Sequence, residues 1–153
     1  MTTDNASAPL AAEDDLAVRR VLALFSHVFD NGRHDLLHLV FSEDMILENT
    51  IGNGFVHKGI EDAIAFTRRF AVGTLDHHTV DSVIWRAGDG VVRSRSRYLA
   101  IIADGAIHNG DYLDELANTT QGWRIRHRIT IPRIPKFDSR AVDDAVLAKW
   151  ELR

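Results

Sequence analysis

The stretch "HHTVDSVIWRAGDGVVRSRSRYL", residues 77–99, reads as two β-strands around a tight turn. Val80, Val83, Ile84 and Trp85 are side chains that suit a pleated surface, and "AGDG" supplies the glycines of a reversal. Beyond the turn, Arg93, Arg95 and Arg97 alternate with Ser94, Ser96 and Tyr98. A period of two puts the arginines on one face of a sheet and Ser96 with Tyr98 on the other. By the same rule His77 and His78 point to opposite faces, so only one of them can enter a pocket.

The pattern continues outward from this hairpin. The turn signal "ADG" introduces a third strand over 106–118, and "TTQG" leads into "WRIRHRITI", which Pro132 and Pro135 should end because they cannot donate to a ladder. Toward the amino terminus, Val18, Val21, Leu22, Phe25 and Phe29 recur at helical spacing after the acidic cluster Glu13, Asp14 and Asp15, and "DNG" closes that helix. A short helix "HDLLHLVF", two short strands "MILENT" and "GFVHKG", and a helix "IEDAIAFTRRF" fill the interval. At the other end "SRAVDDAVLAKW" predicts a terminal helix with Ser139 as N-cap and Val142, Val146 and Trp150 as its apolar stripe.

Helices lying on one side of a curved antiparallel sheet make an α+β domain, and the curl leaves a cavity between the layers. The expected organisation is a loose tail over 1–12, one domain over 13–135 and a helical extension over 136–153. No second domain and no repeat is visible.

Composition narrows the function. The net charge of -4 with a pI near 6.0 offers no broad basic footprint for nucleic acid. The arginine rows at 93–97 and 124–128 read as a solvated sheet face with carboxylate partners across the strands. The chain has no cysteine, which removes thiolate chemistry and agrees with a cytoplasmic setting. No signal peptide and no membrane span are expected. Phosphate-binding glycine motifs and "HExxH" are absent from the sequence.

The order of elements, with "FDNGRHDLLHLVFSEDMILE", "HKGIEDAI", residues 77–99 and "GDYLDEL" followed by "GWRIRHR", resembles the nuclear transport factor 2-like superfamily and its SnoaL-like branch. That resemblance implies a cone-shaped α+β fold with a central cavity. The scytalone dehydratase and hexachlorocyclohexane dehydrochlorinase relatives imply a histidine base oriented by an aspartate. Carried onto this chain, the aspartate falls on Asp30. The histidine falls on His78, because a small polar residue, here Ser82, follows four positions later.

A neutral imidazole can take a proton near pH 7, and a carboxylate on its other nitrogen sets the tautomer. Tyr112, His108, Tyr98 and Ser96 are candidate donors to a developing oxyanion. Arg128 falls on the family's pocket arginine, although strict alternation puts it opposite Trp123, Ile125, His127 and Ile129. Phe25, Phe29, Leu47, Asn49 and Phe66 are expected as pocket wall.

The resulting expectation is a cofactor-independent, metal-free lyase or isomerase that eliminates or shifts a proton on a hydrophobic cyclic small molecule. Two alternatives stay open: a SnoaL-type aldol polyketide cyclase with an acidic base, and a non-catalytic binding protein comparable to a dioxygenase small subunit. The relatives also imply a homodimer through the outer face of the sheet, with no nucleic acid and no membrane as partners.

Overall fold

A computed structural model describes residues 8–152. Helix α1 (Ala12–Phe29) carries Glu13, Asp14 and Asp15 in its first turn, where their charges complement the helix dipole. It buries Val18, Val21, Leu22, Phe25 and Val28. A 3₁₀ turn (His34–Leu39) replaces the expected short helix and leads into β1 (Phe41–Asn49) and β2 (Phe55–Lys58). Helix α2 (Ile60–Thr67) follows, and then the long strands β3 (Leu75–Arg86), β4 (Val92–Ile102), β5 (Ile107–Thr119) and β6 (Gly122–Ile134).

The six strands form one sheet in the order β2-β1-β6-β5-β4-β3. Every neighbouring pair is antiparallel except β1 with β6, so the sheet is mixed. The main core lies between α1, α2 and the concave face, where Phe25, Phe41, Met45, Leu47, Tyr98, Tyr112 and Trp123 pack together. Trp123 also ties the sheet to α1, since its indole N–H donates to Asp14 at 2.9 Å.

Two irregularities in register decide what the concave face carries. Between Val80 and Val83 of β3 the partner strand advances only from Arg97 to Arg95, so β3 holds one extra residue. Asp81, at φ 52°, occupies this bulge in the left-handed region that aspartate tolerates better than most residues. In β6, His127 pairs with Glu115 but Ile125 pairs with Leu116, so Arg126 is extra. Each bulge reverses the parity of the strand beyond it.

Of the arginine rows expected on a solvated face, 93–97 lies on the convex face with its carboxylate partners, but Arg93 is buried there. Arg124 of the second row is buried as well, donating to the His38 carbonyl at 2.6 Å. Arg93 bonds Asp89 and Glu115, while Arg95 and Arg97 both pair with Asp111. This face also holds a second core of Trp85, Leu113, Ile129 and Trp150. The terminal residues reach it by a route shorter in helix than expected. Only Asp144–Leu147 (α3) and a 3₁₀ turn at Ala148–Trp150 are helical, and the cap is Asp143, whose side chain accepts from Ala145 N–H at 2.7 Å. Ser139 instead bridges to Ile51 and Gly52. The stripe Val142, Val146 and Trp150 does pack on this second core, and the Trp150 indole donates to the Asp114 carbonyl at 3.1 Å.

Two other expectations need correction. β6 runs through Pro132 to Ile134, because β1 pairs with β6 only as far as Thr130 and leaves an open edge at the proline. Of the expected tail, residues 1–7 lie outside the described residues. Ala8 pairs with Arg86 through two backbone hydrogen bonds of 2.9 and 2.8 Å, Leu10 packs on the core, and α1 already starts at Ala12.

Trp150 is 1% exposed and is the fully buried side chain by which the terminal segment joins the core on the convex face. Replacing it with alanine is expected to destabilise the fold by about 3 kcal/mol. Urea titration followed by circular dichroism checks this; a change below about 1 kcal/mol would mean that the segment is not anchored there.

Candidate functional site

A cavity of about 200 Å³ opens between the helices and the concave face of the sheet. Its wall is mainly aromatic. Phe25 and Phe29 come from α1, Phe66 from α2, and Phe55 and Phe70 complete that side. Opposite them, the sheet contributes Leu47 and Asn49 from β1, Tyr98 from β4, His108 and Tyr112 from β5, and Thr130 from β6. β3 adds Leu75 and His77.

Asp30 closes the carboxyl end of α1, its backbone N–H bonding to the Ser26 carbonyl at 2.9 Å. A carboxylate there opposes the helix dipole, and the partner that compensates it is His77. The Asp30 Oδ2 accepts the backbone N–H of His77 at 2.6 Å, and its Oδ1 meets the His77 Nδ1, also at 2.6 Å. A carboxylate oxygen can only accept, so Nδ1 carries the hydrogen and Nε2 is the free nitrogen of the ring. The imidazole packs against Phe29 at 5.7 Å and Phe25 at 5.9 Å between ring centres, and both partners of the pair are nearly removed from solvent.

His78, which the sequence reading pairs with Asp30, is not the partner. Its side chain is 48% exposed on an outer groove, with Nε2 3.4 Å from Asp76. The reason is the bulge at Asp81. Ser82 does face inward, bonding Ser96 at 2.8 Å, but one extra residue lies between it and the histidines. Inward positions therefore run Leu75, His77, Thr79, then Ser82 and Ile84. An aspartate inside an otherwise β-branched run is the sequence signal that marks such a break.

Two polar groups stand at the cavity without partners. The Tyr98 hydroxyl and the His108 Nδ1 are buried and make no hydrogen bond among the described residues. Burial pushes the Tyr98 pKa up to about 12, with the charge of Asp111 adding to it, so the phenol stays protonated. His108 is held below the ordinary histidine value, first by burial and then by the nearby His77. Gly110 makes room for Tyr98, since a Cβ there would stand 2.5 Å from Tyr98 Cε1 and 2.1 Å from the Ile131 carbonyl oxygen. Tyr112 stacks on Tyr98 at 4.7 Å, and burial raises its pKa as well.

Arg128 does turn to the concave side, because the bulge at Arg126 reverses the alternation that argued against it. It is fully buried behind the cavity wall rather than lining it. Its Nε and Nη2 donate to the two Asp114 oxygens at 2.7 and 2.8 Å, and its guanidinium lies over Tyr112 at 4.0 Å and Phe25 at 4.4 Å. This charge is compensated and supports the aromatic wall from behind. Ser96 is likewise spent in its bond to Ser82 and does not line the cavity. Asn49 does: its Oδ1 accepts Ile51 N–H at 2.8 Å, which leaves the amide hydrogens free. Among the described residues, no three His, Asp or Glu side chains converge as a metal site.

The profile of the SnoaL-like domain matches residues 11–129. Among solved structures, the fold is similar to that of a candidate scytalone dehydratase from Novosphingobium aromaticivorans, at 20% identity over 87% of this chain and 94% of that one, with a TM-score of 0.66. The protein Aln2 from a Streptomyces species matches at 21% identity over 92% and 98%, also with a TM-score of 0.66. A protein of unknown function with a cystatin-like fold from Nostoc punctiforme matches at 16% identity over 82% and 96%, with a TM-score of 0.69. No curated protein sequence matches.

The lowered pKa of His108 has a consequence for stability. Below the ordinary value of 6.5 the unfolded chain binds a proton at this histidine while the folded chain resists it. Its contribution is therefore complete above 6.5 and is lost as pH falls through 6.5 toward the folded value. Replacing His108 with glutamine is expected to flatten the fall of melting temperature on acidification below 6.5, measured by calorimetry. An unchanged slope would show that the imidazole titrates freely in the folded chain.

Proposed function

Since the chain belongs to the SnoaL-like domain family, and its cavity has room for a small molecule, we propose that it is a lyase or isomerase working by proton transfer on a neutral, ring-bearing small molecule. The observation that carries this reading is the double hydrogen bond from His77 to Asp30, which leaves Nε2 free on an imidazole lining an aromatic cavity. His77 is the base. It removes a proton from a carbon next to a carbonyl, and Asp30 holds the ring in place and stabilises the imidazolium that results.

The unpartnered Tyr98 hydroxyl and His108 ring are the groups able to donate to the oxygen on which charge then develops. In an elimination the same proton inventory serves a departing hydroxyl, which leaves as water. The ligand is neutral because the guanidinium buried behind the wall is already paired with Asp114. It is flat because the surrounding surfaces are aromatic rings.

An aldol cyclase using Asp30 itself as base is the weaker reading, since both carboxylate oxygens already accept from His77. A role in binding alone is supported by the same cavity and differs only in turnover.

A suitable probe is 3-hydroxy-1-tetralone, which loses a proton from C2 and the hydroxyl from C3 as water and becomes 1-naphthol after enolisation. Fluorescence of the naphthol follows the reaction. The wild-type chain is expected to accelerate it, and His77→Gln or Asp30→Asn to reduce the rate constant by about 10² to 10⁴-fold. His78→Ala should leave it unchanged. Equal loss with His78→Ala, or an undiminished rate with His77→Gln, would refute the assignment. Tight probe binding without turnover would favour the binding role.

A further inference from the structure

After β6 the chain does not leave the site. Residues 135–140 form a strap past the β1–β2 turn, held by the Gly52 N–H on the Asp138 carbonyl and the Arg140 N–H on the Thr50 carbonyl, each at 2.7 Å. The Arg140 guanidinium adds a bond of 2.9 Å to Glu48. The turn is shaped for this passage. Gly54 has φ of +71°, and a Cβ there would stand 2.7 Å from the Asn49 carbonyl oxygen and 3.1 Å from Arg140 Nε. In the middle of the strap, Phe137 packs perpendicular to the His108 ring, at 5.7 Å between centres and 89° between planes.

We propose that Phe137 is a positioning residue for His108, packing from the carboxy-terminal strap against a ring that lines the cavity. This rests on the reading of His108 as a donor to the ligand. Among the described residues, the imidazole makes aromatic contacts with only Tyr98 and Phe137, and its buried Nδ1 has no hydrogen-bond partner to hold the ring plane. Two edge-to-face contacts therefore set its orientation. Removing Phe137 exposes more of the half-buried ring to water and frees its rotation. The family match ends at residue 129, so the strap is a part of this chain to which that match assigns nothing.

The charged surroundings of His108 are simple. His77 on β3 is the titratable group whose charge opposes one on His108. Tyr98 on β4 is protonated below about 12. Lys136 and Asp138 flank Phe137 on the strap, and both are exposed to solvent. Asp30 sits behind His77, bonded to it.

The test is an NMR titration of the imidazole Cε1–H signals in the full chain, comparing wild type with Phe137→Ala, Phe137→Leu and Arg140→Ala. In Phe137→Ala the His108 midpoint is expected to rise by about half a pH unit or more toward the ordinary histidine value, while the His77 midpoint stays in place. Phe137→Leu, which keeps apolar cover, should remain near wild type. Arg140→Ala, which loosens the strap without touching its aromatic ring, should move His108 upward by a smaller amount. An unmoved His108 in Phe137→Ala would overturn the proposal, and so would equal shifts in the alanine and leucine variants. Parallel shifts of His77 and His108 would also overturn it, since they indicate a general opening of the cavity. None of these outcomes depends on His77 acting as a base, so a failed turnover assay and a failed positioning role are told apart.

Discussion

The extra residue at Asp81 is the constraint on which the site depends. Without it, β3 would alternate without interruption, and the inward Ser82 would share its face with His78 rather than His77. With it, His77 comes to the end of α1 and receives both oxygens of Asp30. The two features support each other. The clamp holds β3 to the helix, and it also answers the unfavourable placement of a carboxylate at a helix carboxyl terminus. One backbone donor and one side-chain donor of the same residue satisfy it, so the imidazole has a single orientation relative to the cavity.

A second constraint lies one layer deeper. Arg128 and Asp114 are both fully buried, and each would be costly alone. Their two-point bond, with aromatic rings over the guanidinium, makes the pair tolerable. It also keeps Phe25 and Tyr112, which face the cavity, at set positions. Breaking such a pair by removing one partner typically costs about 3 to 5 kcal/mol. The same Asp114 accepts the Trp150 indole through its carbonyl, so the terminal segment on the convex face and the cavity on the concave face meet at one residue. The strap that carries Phe137 lies between β6 and that anchor.

Much of the architecture was legible because its signals are local. Turn residues at "AGDG", "ADG" and "TTQG" mark the hairpins, and apolar spacing marks α1 and α2. Cavity wall residues such as Phe25, Leu47 and Tyr98 followed from period and order. The histidine did not, because a bulge adds a residue without a strong compositional mark, and strict alternation then fails for every position beyond it. The same cause operates at Arg126, where an unbroken alternation of arginines hides the extra residue and makes Arg128 read as pointing away. The terminal helix was overestimated for a different reason. Its stripe is real, but Ser139 is drawn into backbone pairing with the β1–β2 turn, a long-range contact that no local pattern displays.

The site stands on His77, not His78, facing the cavity with its Nδ1 hydrogen given to Asp30. Long-range ¹H–¹⁵N correlation NMR on the histidine rings at neutral pH reads this directly, because protonated and bare ring nitrogens resonate far apart. His77 is expected to show a protonated Nδ1 and a bare Nε2, a state lost in Asp30→Asn. A fixed Nδ1–H tautomer on His78, with His77 behaving as an exposed ring, would contradict the register of β3 and with it the site.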